Sequence, residues 1–210
     1  MKTEKELFDF IRSNQKDGKL SQAEVNATNK LLQFMTPDEL LNYLADLNDW
    51  QINDAQEMKL SKDGAGLIKQ FEEFRSKPYL DAVRVPTIGY GSTYYPDGRK
   101  VSLKDAPITE QKASEMMEFI ANKDFGSVIN VLLAKQIKEG KITQNMFDAL
   151  VSLAYNIGAQ AITKSSVIRL LRAGDKVGAA KAITMWNRAG GKILTGLSKR
   201  REKEKALFLA

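Results

Sequence analysis

A chain of 210 residues, 43% hydrophobic and with a formal charge of +6, can build one good core, or one core and a small satellite. It contains no cysteine and no histidine. Disulfides, thiolate metal sites, cysteine nucleophiles, histidine triads and ordinary zinc hydrolases are therefore excluded, and acid–base chemistry falls to Asp, Glu, Lys and Tyr.

The charge is uneven. Residues 1–63 carry 8 of the 32 Lys and Arg but 12 of the 26 Asp and Glu, which leaves the remainder at net +10. The later part should seek a polyanion and the first part should not. No apolar run reaches the roughly 18 residues of a membrane helix, and the start "MKTEKELFDF" lacks the apolar centre of a secretory signal. The expectation is a protein without stable membrane insertion, kept in the cytoplasm unless another agent releases it.

Three helices can be read in the first segment: "KELFDFIRS", a second opened by Ser21 with Glu24 as a capping box, and a third opened by Thr36, Pro37, Asp38 and Glu39. Between the first two, "SNQKDGKLSQAE" matches part of a calcium-loop template, with Asp17, Gly18, Leu20 and Glu24 in place. Ser13 and Gln15 occupy the ligand positions one and three, so a capped helix after a glycine turn is the favoured reading. "LSKDGAG", residues 60–66, is small and polar and is the best linker candidate, which predicts a helical module at 1–60 and a second domain at 61–210.

Past the linker, Leu67, Ile68, Phe71 and Phe74 recur at helical spacing, and the helix must stop before Pro78 because Lys77 is steered out of the helical region. Residues 79–95 read as extended, with turns at 81–84 and 96–98. Five further stretches read as helices: "TEQKASEMMEFIANK", "TQNMFDALVSLAYNIG", "SSVIRLLRAG", "DKVGAAKAITMWNRAG" and "LSKRREKEKALFL". The fold class is α+β, a small extended lobe between one helix and a large helical bundle, with a cleft between them as the natural site.

Glu72 stands near the carbonyl end of its helix, beside Phe71 and Phe74, where dipole and desolvation both disfavour an anion. That is the setting of a general acid. Asp81, nine residues on, lies at a wetter hairpin turn, and Thr87, six further, returns on the second strand beside it. An ionised carboxylate and a hydroxyl can hold a water while a protonated carboxyl opposite donates to a leaving oxygen, the apparatus of glycoside hydrolysis. The same acid–acid–threonine set reads equally as a solvated charged surface.

The stretch "FEEFRSKPYLDAVRVPTIGYGST" resembles the active-site segment of phage-type lysozymes, glycoside hydrolase family 24. Its pattern is a helix-ending glutamate, an aspartate nine later, a threonine six after that, then glycine-aromatic-glycine; Glu72, Asp81, Thr87 and Gly89-Tyr90-Gly91 fall on it. "YNIGAQAITKSSVIRLLRAGD" and "GLSKRREKE" are similar to later family segments, so the likeness covers about residues 64–210. It implies a lysozyme-like fold with a small hairpin lobe and a large helical lobe, here preceded by an extra helical module. It implies Glu72 as general acid, Asp81 with Thr87 positioning the attacking water, inversion at the anomeric carbon, and no cofactor or metal. Gly91, Tyr155, Asn156 and Ser166 match positions lining the sugar cleft, with core or capping roles as their alternatives. Glu73 is expected at the surface and Trp186 in the core. Arg200 and Arg201 are expected to tie the last helix to the lobe rather than to form a polyanion patch.

Two departures stand out. Ser92 replaces the family's usual histidine after the second glycine, which puts only local stability in doubt. Arg84 replaces a hairpin glycine, so the turn could take another shape.

The resemblance implies an endolysin that hydrolyses the β-1,4 bond between N-acetylmuramic acid and N-acetylglucosamine in bacterial peptidoglycan. It would be a monomer that binds no nucleic acid, held in the host cytoplasm and released to the periplasm or wall at lysis by a separate holin-type permeabilising protein. The acidic first module has cell-wall binding as its candidate role, through glycan or peptide rather than anionic polymer. The rivals are a lytic transglycosylase, which needs only the glutamate, and a non-catalytic cell-wall or nucleic-acid binding protein.

Overall fold

The opening helices begin where side chains can close their free backbone N–H groups. In the computed structural model, which describes residues 3–13, 18–20, 22–33, 35–45 and 57–210, α1 spans Glu4–Ser13. It is started by a capping box the sequence reading missed: Thr3 N–H donates to Glu6 Oε2 at 2.7 Å and Glu6 N–H to Thr3 Oγ1 at 3.3 Å. Helix α2 spans Gln22–Leu32; its expected cap Ser21 lies outside the described residues, as do Gln15 and Asp17 of the calcium-loop template and the side chain of Glu24. Helix α3 (Pro37–Ala45) starts as read, with Thr36 N–H donating to Glu39 Oε2 at 2.8 Å and Glu39 N–H to Thr36 Oγ1 at 3.2 Å. The buried leucines of these helices, Leu7, Leu31, Leu40, Leu41 and Leu44, belong to the same apolar cluster as the main core.

Residues 62–66, within the stretch read as a linker, form the first turn of a helix. Ser61 caps α4 (Lys62–Phe71), and Gly64 and Ala65 are buried. The glycine at 64 serves close packing rather than flexibility, since a Cβ there would stand 2.7 Å from the Asp148 side chain. Just before the cap, Met58 and Leu60 are already bonded to the helical lobe through Asn130 and Asn122.

Helix α4 ends at Phe71, well short of Pro78. The chain turns into β1 (Arg75–Leu80), antiparallel to β2 (Pro86–Gly89), with Tyr79 opposite Thr87 and Leu80 opposite Pro86. Pro78, which has no N–H to give the ladder, falls where the register shifts between Arg75 and Tyr79. Ile88 and Val101 close the hairpin lobe on Met116 of α5 (Glu110–Ile120).

From α5 the chain continues through a π-helical turn, Ala121–Gly126, into α6 (Ser127–Leu132). The span 110–132 thus packs on β2 at one end and, through its π turn and α6, on the helical lobe at the other. After α7 (Ala134–Lys138) comes α8 (Gln144–Ile157), buried without a break from Met146 to Ala154. Helices α9 (Ala159–Thr163) and α12 (Thr195–Leu209) pack on it, while α10 (Ser166–Arg172) and α11 (Lys176–Thr184) pack on each other and on α9 and α12 respectively. Phe147, Leu150, Val151 and Leu153 of α8 are all 0% exposed, and burial of each such side chain contributes about 1.5–3 kcal/mol. A short exposed hairpin, β3 (Arg188–Ala189) and β4 (Lys192–Ile193), precedes α12 and turns on Gly190 and Gly191, both at positive φ. The architecture is α+β, with the hairpin lobe and helical lobe joined by one long interrupted helix.

Candidate active site

Glu72 is the C-cap of α4: its N–H still donates to Ile68 O at 3.2 Å, but its backbone is already extended, φ −106° and ψ 127°. The helix that carries it is gripped at both ends. At the N-terminus the buried Asp148 of α8 accepts from Ser61 N–H at 2.9 Å, from the Ser61 hydroxyl, and from Gln144 Nε2 at 2.8 Å. At the C-terminus Arg200 of α12 donates from Nη1 to Glu72 Oε1 at 2.7 Å and lies 5.5 Å over the Phe71 ring.

Arg200 belongs to a buried cluster. Its Nε donates to Glu204 Oε1 at 3.1 Å and its Nη2 to Ser152 O at 3.2 Å, while the Ser152 hydroxyl donates to the same Glu204 oxygen at 2.8 Å. Arg201 Nη1 pairs with Glu204 Oε2 at 2.9 Å without hydrogen-bond alignment, and Arg201 Nη2 donates to Asn156 Oδ1. Burial pushes the Glu204 carboxyl up, against the pull of the two guanidiniums. Glu72 is the second carboxyl group held by this arginine cluster, through Arg200. Both arginines are buried, which excludes a surface polyanion patch at this pair.

Asp81 heads the hairpin turn. Its Oδ1 accepts from Val83 N–H at 3.0 Å and Val85 N–H at 2.8 Å, and its own N–H donates to Val85 O at 3.1 Å. Thr87, 2% exposed, donates its hydroxyl to that same Val85 carbonyl at 2.9 Å. The structure therefore brings Asp81 and Thr87 together through one shared main-chain unit. Asp81 Oδ2 and the lone pairs of Thr87 Oγ1 are left open among the described residues. Arg84 takes the left-handed conformation itself, φ 65°.

Tyr79 lies between the two carboxylates in sequence and opposite Thr87 on the hairpin. Burial pushes its phenol up, Arg75 opposes, and Glu72 and Asp81 both add to the rise. Glu73 is exposed and ion-paired with Arg75 Nη2 at 2.8 Å.

The cleft candidates divide. The Tyr155 hydroxyl donates to Tyr90 O at 2.7 Å, and a Cβ on the exposed Gly91, φ 92°, would lie 3.8 Å from that hydroxyl, so these two are neighbours. Asn156 is committed to Arg201. Ser166 is not the cap of α10; Ser165 is, accepting from Ile168 N–H at 3.3 Å. Ser166 instead lines an open pocket of about 340 Å³ with Thr163, Lys164, Arg169 and Arg172, which none of the three proposed catalytic residues lines. Ser92 is buried with no partner for its hydroxyl, though its backbone pairs with Ile88 in both directions at 2.9 Å. Trp186 packs against the main core, partly buried. Among the described residues no group of three or more Asp and Glu side chains is placed to hold a metal ion, and no helix is long and apolar enough to cross a membrane.

Residues 69–204 match the phage lysozyme family. The chain belongs to that family. It is 38% identical over 154 residues to an endolysin of Bacillus phage B103, covering 72% of this chain and 54% of that protein. It is 36% identical over 153 residues to the endolysin of Salmonella phage P22, covering 73% and 99%. The chain thus spans about half the length of the two Bacillus phage relatives, B103 and PZA, and almost all of the P22 protein. Among solved structures, a mutant of P22 lysozyme is similar with a TM-score of 0.62 at 33% identity, over 73% of this chain and 99% of that one. The muramidase domain of SpmX from Asticaccaulis excentricus is similar with a TM-score of 0.61 at 33% identity, over 72% and 98%. The fold is lysozyme-like. One member of the site escaped the sequence reading, Arg200 as the partner of Glu72. The spacing of Arg200, Arg201 and Glu204 carried a signal, because a glutamate three and four residues after two arginines can neutralise them within one helix.

Proposed function

We propose that the protein is a muramidase that hydrolyses the β-1,4 bond between N-acetylmuramic acid and N-acetylglucosamine in peptidoglycan, with inversion at the anomeric carbon. Glu72 is the general acid, delivering a proton to the leaving oxygen. Asp81 Oδ2 and the Thr87 hydroxyl hold the attacking water, with Asp81 as the base that takes its proton. The observation that carries the reading is the Asp81–Val85–Thr87 turn. It consumes one carboxylate oxygen of Asp81 in backbone bonds, leaves the other without a protein partner among the described residues, and ties the buried Thr87 hydroxyl to the same Val85. Family membership and the held position of Glu72 support it. Gly91 and Tyr155 line the sugar cleft on this proposal. As an endolysin the enzyme waits in the host cytoplasm and reaches the wall at lysis, after a separate holin-type protein has opened the membrane.

The test is mass spectrometry and nuclear magnetic resonance of digested purified peptidoglycan. Reducing muramic-acid ends, formed first in the inverted anomeric configuration, are expected; 1,6-anhydro ends as the main product would make the enzyme a lytic transglycosylase. In the same assay Thr87→Val should lower the rate at least about 10²-fold, and Thr87→Ser should keep part of it.

A further inference from the structure

The first helices do more than lie beside the lysozyme fold. Within the long helix joining the lobes, the π turn places Ser127 N–H on Asn122 O, five residues back. Such a turn persists where outside contacts hold it. Here Asn122 Oδ1 accepts from Leu60 N–H at 2.8 Å, and the side chain of Lys30 on α2 reaches the same turn. Lys30 Nζ donates to Ser127 Oγ at 2.7 Å and stands 3.7 Å from Asp124 Oδ1. The other Asp124 oxygen accepts the hydroxyl of Tyr94, from the hairpin lobe, at 2.5 Å. The Lys123 ammonium sits 5.4 Å over the Tyr94 ring. Only a quarter of the Lys30 side chain is exposed, and burial pushes its ammonium below the ordinary lysine value although Asp124 pulls the other way.

We propose that Lys30 is a positioning residue for catalysis: by fixing Asp124 it fixes Tyr94, and with Tyr94 the angle at which the hairpin lobe presents Asp81 and Thr87 to Glu72. Glu72 is tied to α12 by Arg200, whereas Asp81 and Thr87 ride on the hairpin. Their separation is set by the angle between lobes. Tyr155, bonded to Tyr90 O, is one strut between the lobes. The Lys30–Asp124–Tyr94 chain is a second strut elsewhere on the interface. The helices before residue 46 are then a brace on the catalytic geometry and not a free tether.

The inference rests on the muramidase reading, and its test separates the two. Full-length wild type, Lys30→Met, Lys30→Arg, Tyr94→Phe and the Lys30→Met/Tyr94→Phe double variant are assayed on soluble glycan oligomers. Lys30→Met keeps the apolar stem and loses the charge. It should lower kcat about tenfold with little change in KM, as misplacement of reacting groups does. Lys30→Arg should restore most of the rate, Tyr94→Phe should match the loss, and the double variant should be no worse than either single one, because the residues act in one chain.

A spin-label pair at Leu103→Cys and Val177→Cys reads the lobe angle directly; both sites are exposed and the chain has no other cysteine. The distance distribution should broaden in Lys30→Met and, should that variant not fold, in Tyr94→Phe. Wild-type kcat and an unchanged distribution in Lys30→Met would overturn the proposal. A loss confined to intact walls would also overturn it and make the first helices a tether. No product from wild type would sink the muramidase reading, while the label distances would still decide the brace.

Discussion

Arg200 holds Glu72 and Glu204 with different nitrogens of one guanidinium, Nη1 at 2.7 Å from Glu72 Oε1 and Nε at 3.1 Å from Glu204 Oε1. The partly exposed carboxyl group of Glu72 and the buried one of Glu204 therefore share a cation. Removing that cation by Arg200→Met leaves Arg201 alone with Glu204 and leaves Glu72 unheld. Breaking a buried pair of this kind costs about 3–5 kcal/mol, to be read from denaturant midpoints, and turnover should fall as well. Glu72→Gln is the contrasting variant. Its amide oxygen still accepts from Arg200, so folding should be kept while turnover falls at least about 10²-fold. Glu73→Gln, whose partner is the exposed Arg75, should remain near wild type in both. A dead Glu73→Gln would move the acid by one residue.

Arg84 adopts a conformation that costs a residue with a Cβ roughly 1–2 kcal/mol, and the turn it shapes carries both Asp81 and Val85. Arg84→Gly relieves the strain but adds chain entropy to the unfolded state, so stability should change by less than about 1 kcal/mol. Arg84→Val, with branching at Cβ, should destabilise by more than that and should lower activity through the Asp81 turn. Equal stability and activity of the valine and glycine variants, by thermal melting and rate, would mean that the left-handed turn is not needed.

The fold class, the pairing of strands around Thr87 and the capped start of α3 were all legible because they rest on local chemistry: period, turn residues, caps. The Glu72–Arg200 bond was not, since it joins residues 128 apart in sequence and depends on how α12 packs on α8. Residues 60–66 show the same limit. Glycine and serine signal flexibility in isolation, but here Gly64 is small because Asp148 is close, and Ser61 is polar because it caps α4. The extra capping box at Thr3 could have been read, because Glu6 stands three residues after a threonine.

The tyrosines give a pH signature. Burial pushes the hydroxyls of Tyr94 and Tyr155 well above the ordinary value of 10.0, and Asp124 adds to the rise at Tyr94 and Glu72 at Tyr155. Tyr79, Tyr90 and Tyr95 move in the same direction, again mainly through burial. In each case the folded state keeps its proton longer than the unfolded chain. The stability so contributed is complete below pH 10.0, the unfolded value, and is lost as pH rises toward the folded values. Phenolate absorbance followed alongside circular dichroism should show these tyrosines ionising together with unfolding. Separate titration of all of them near the ordinary value, in a chain that is still folded, would contradict the buried placement.

The last prediction concerns where the catalytic lobe begins. Met58 N–H donates to Asn130 Oδ1 at 3.0 Å, Asn130 Nδ2 to Met58 O at 2.8 Å, Leu60 N–H to Asn122 Oδ1 at 2.8 Å and Gln144 Nε2 to Lys59 O at 2.8 Å. All four bonds lie before the expected boundary at residue 61, and they fasten the chain to the long interlobe helix and to α8. A chain beginning at Ser61 loses all of them, whereas one beginning at Glu57 keeps them. At about 0.5–1.5 kcal/mol per bond, the shorter chain should be less stable by several kcal/mol. Both chains lack Lys30, so on the brace proposal both should be slower than full length on soluble oligomers, and to a similar degree where each is folded. Denaturant melts of the two truncations decide the boundary. Coincident midpoints would mean that residues 57–60 hold nothing and that the expected linker is real.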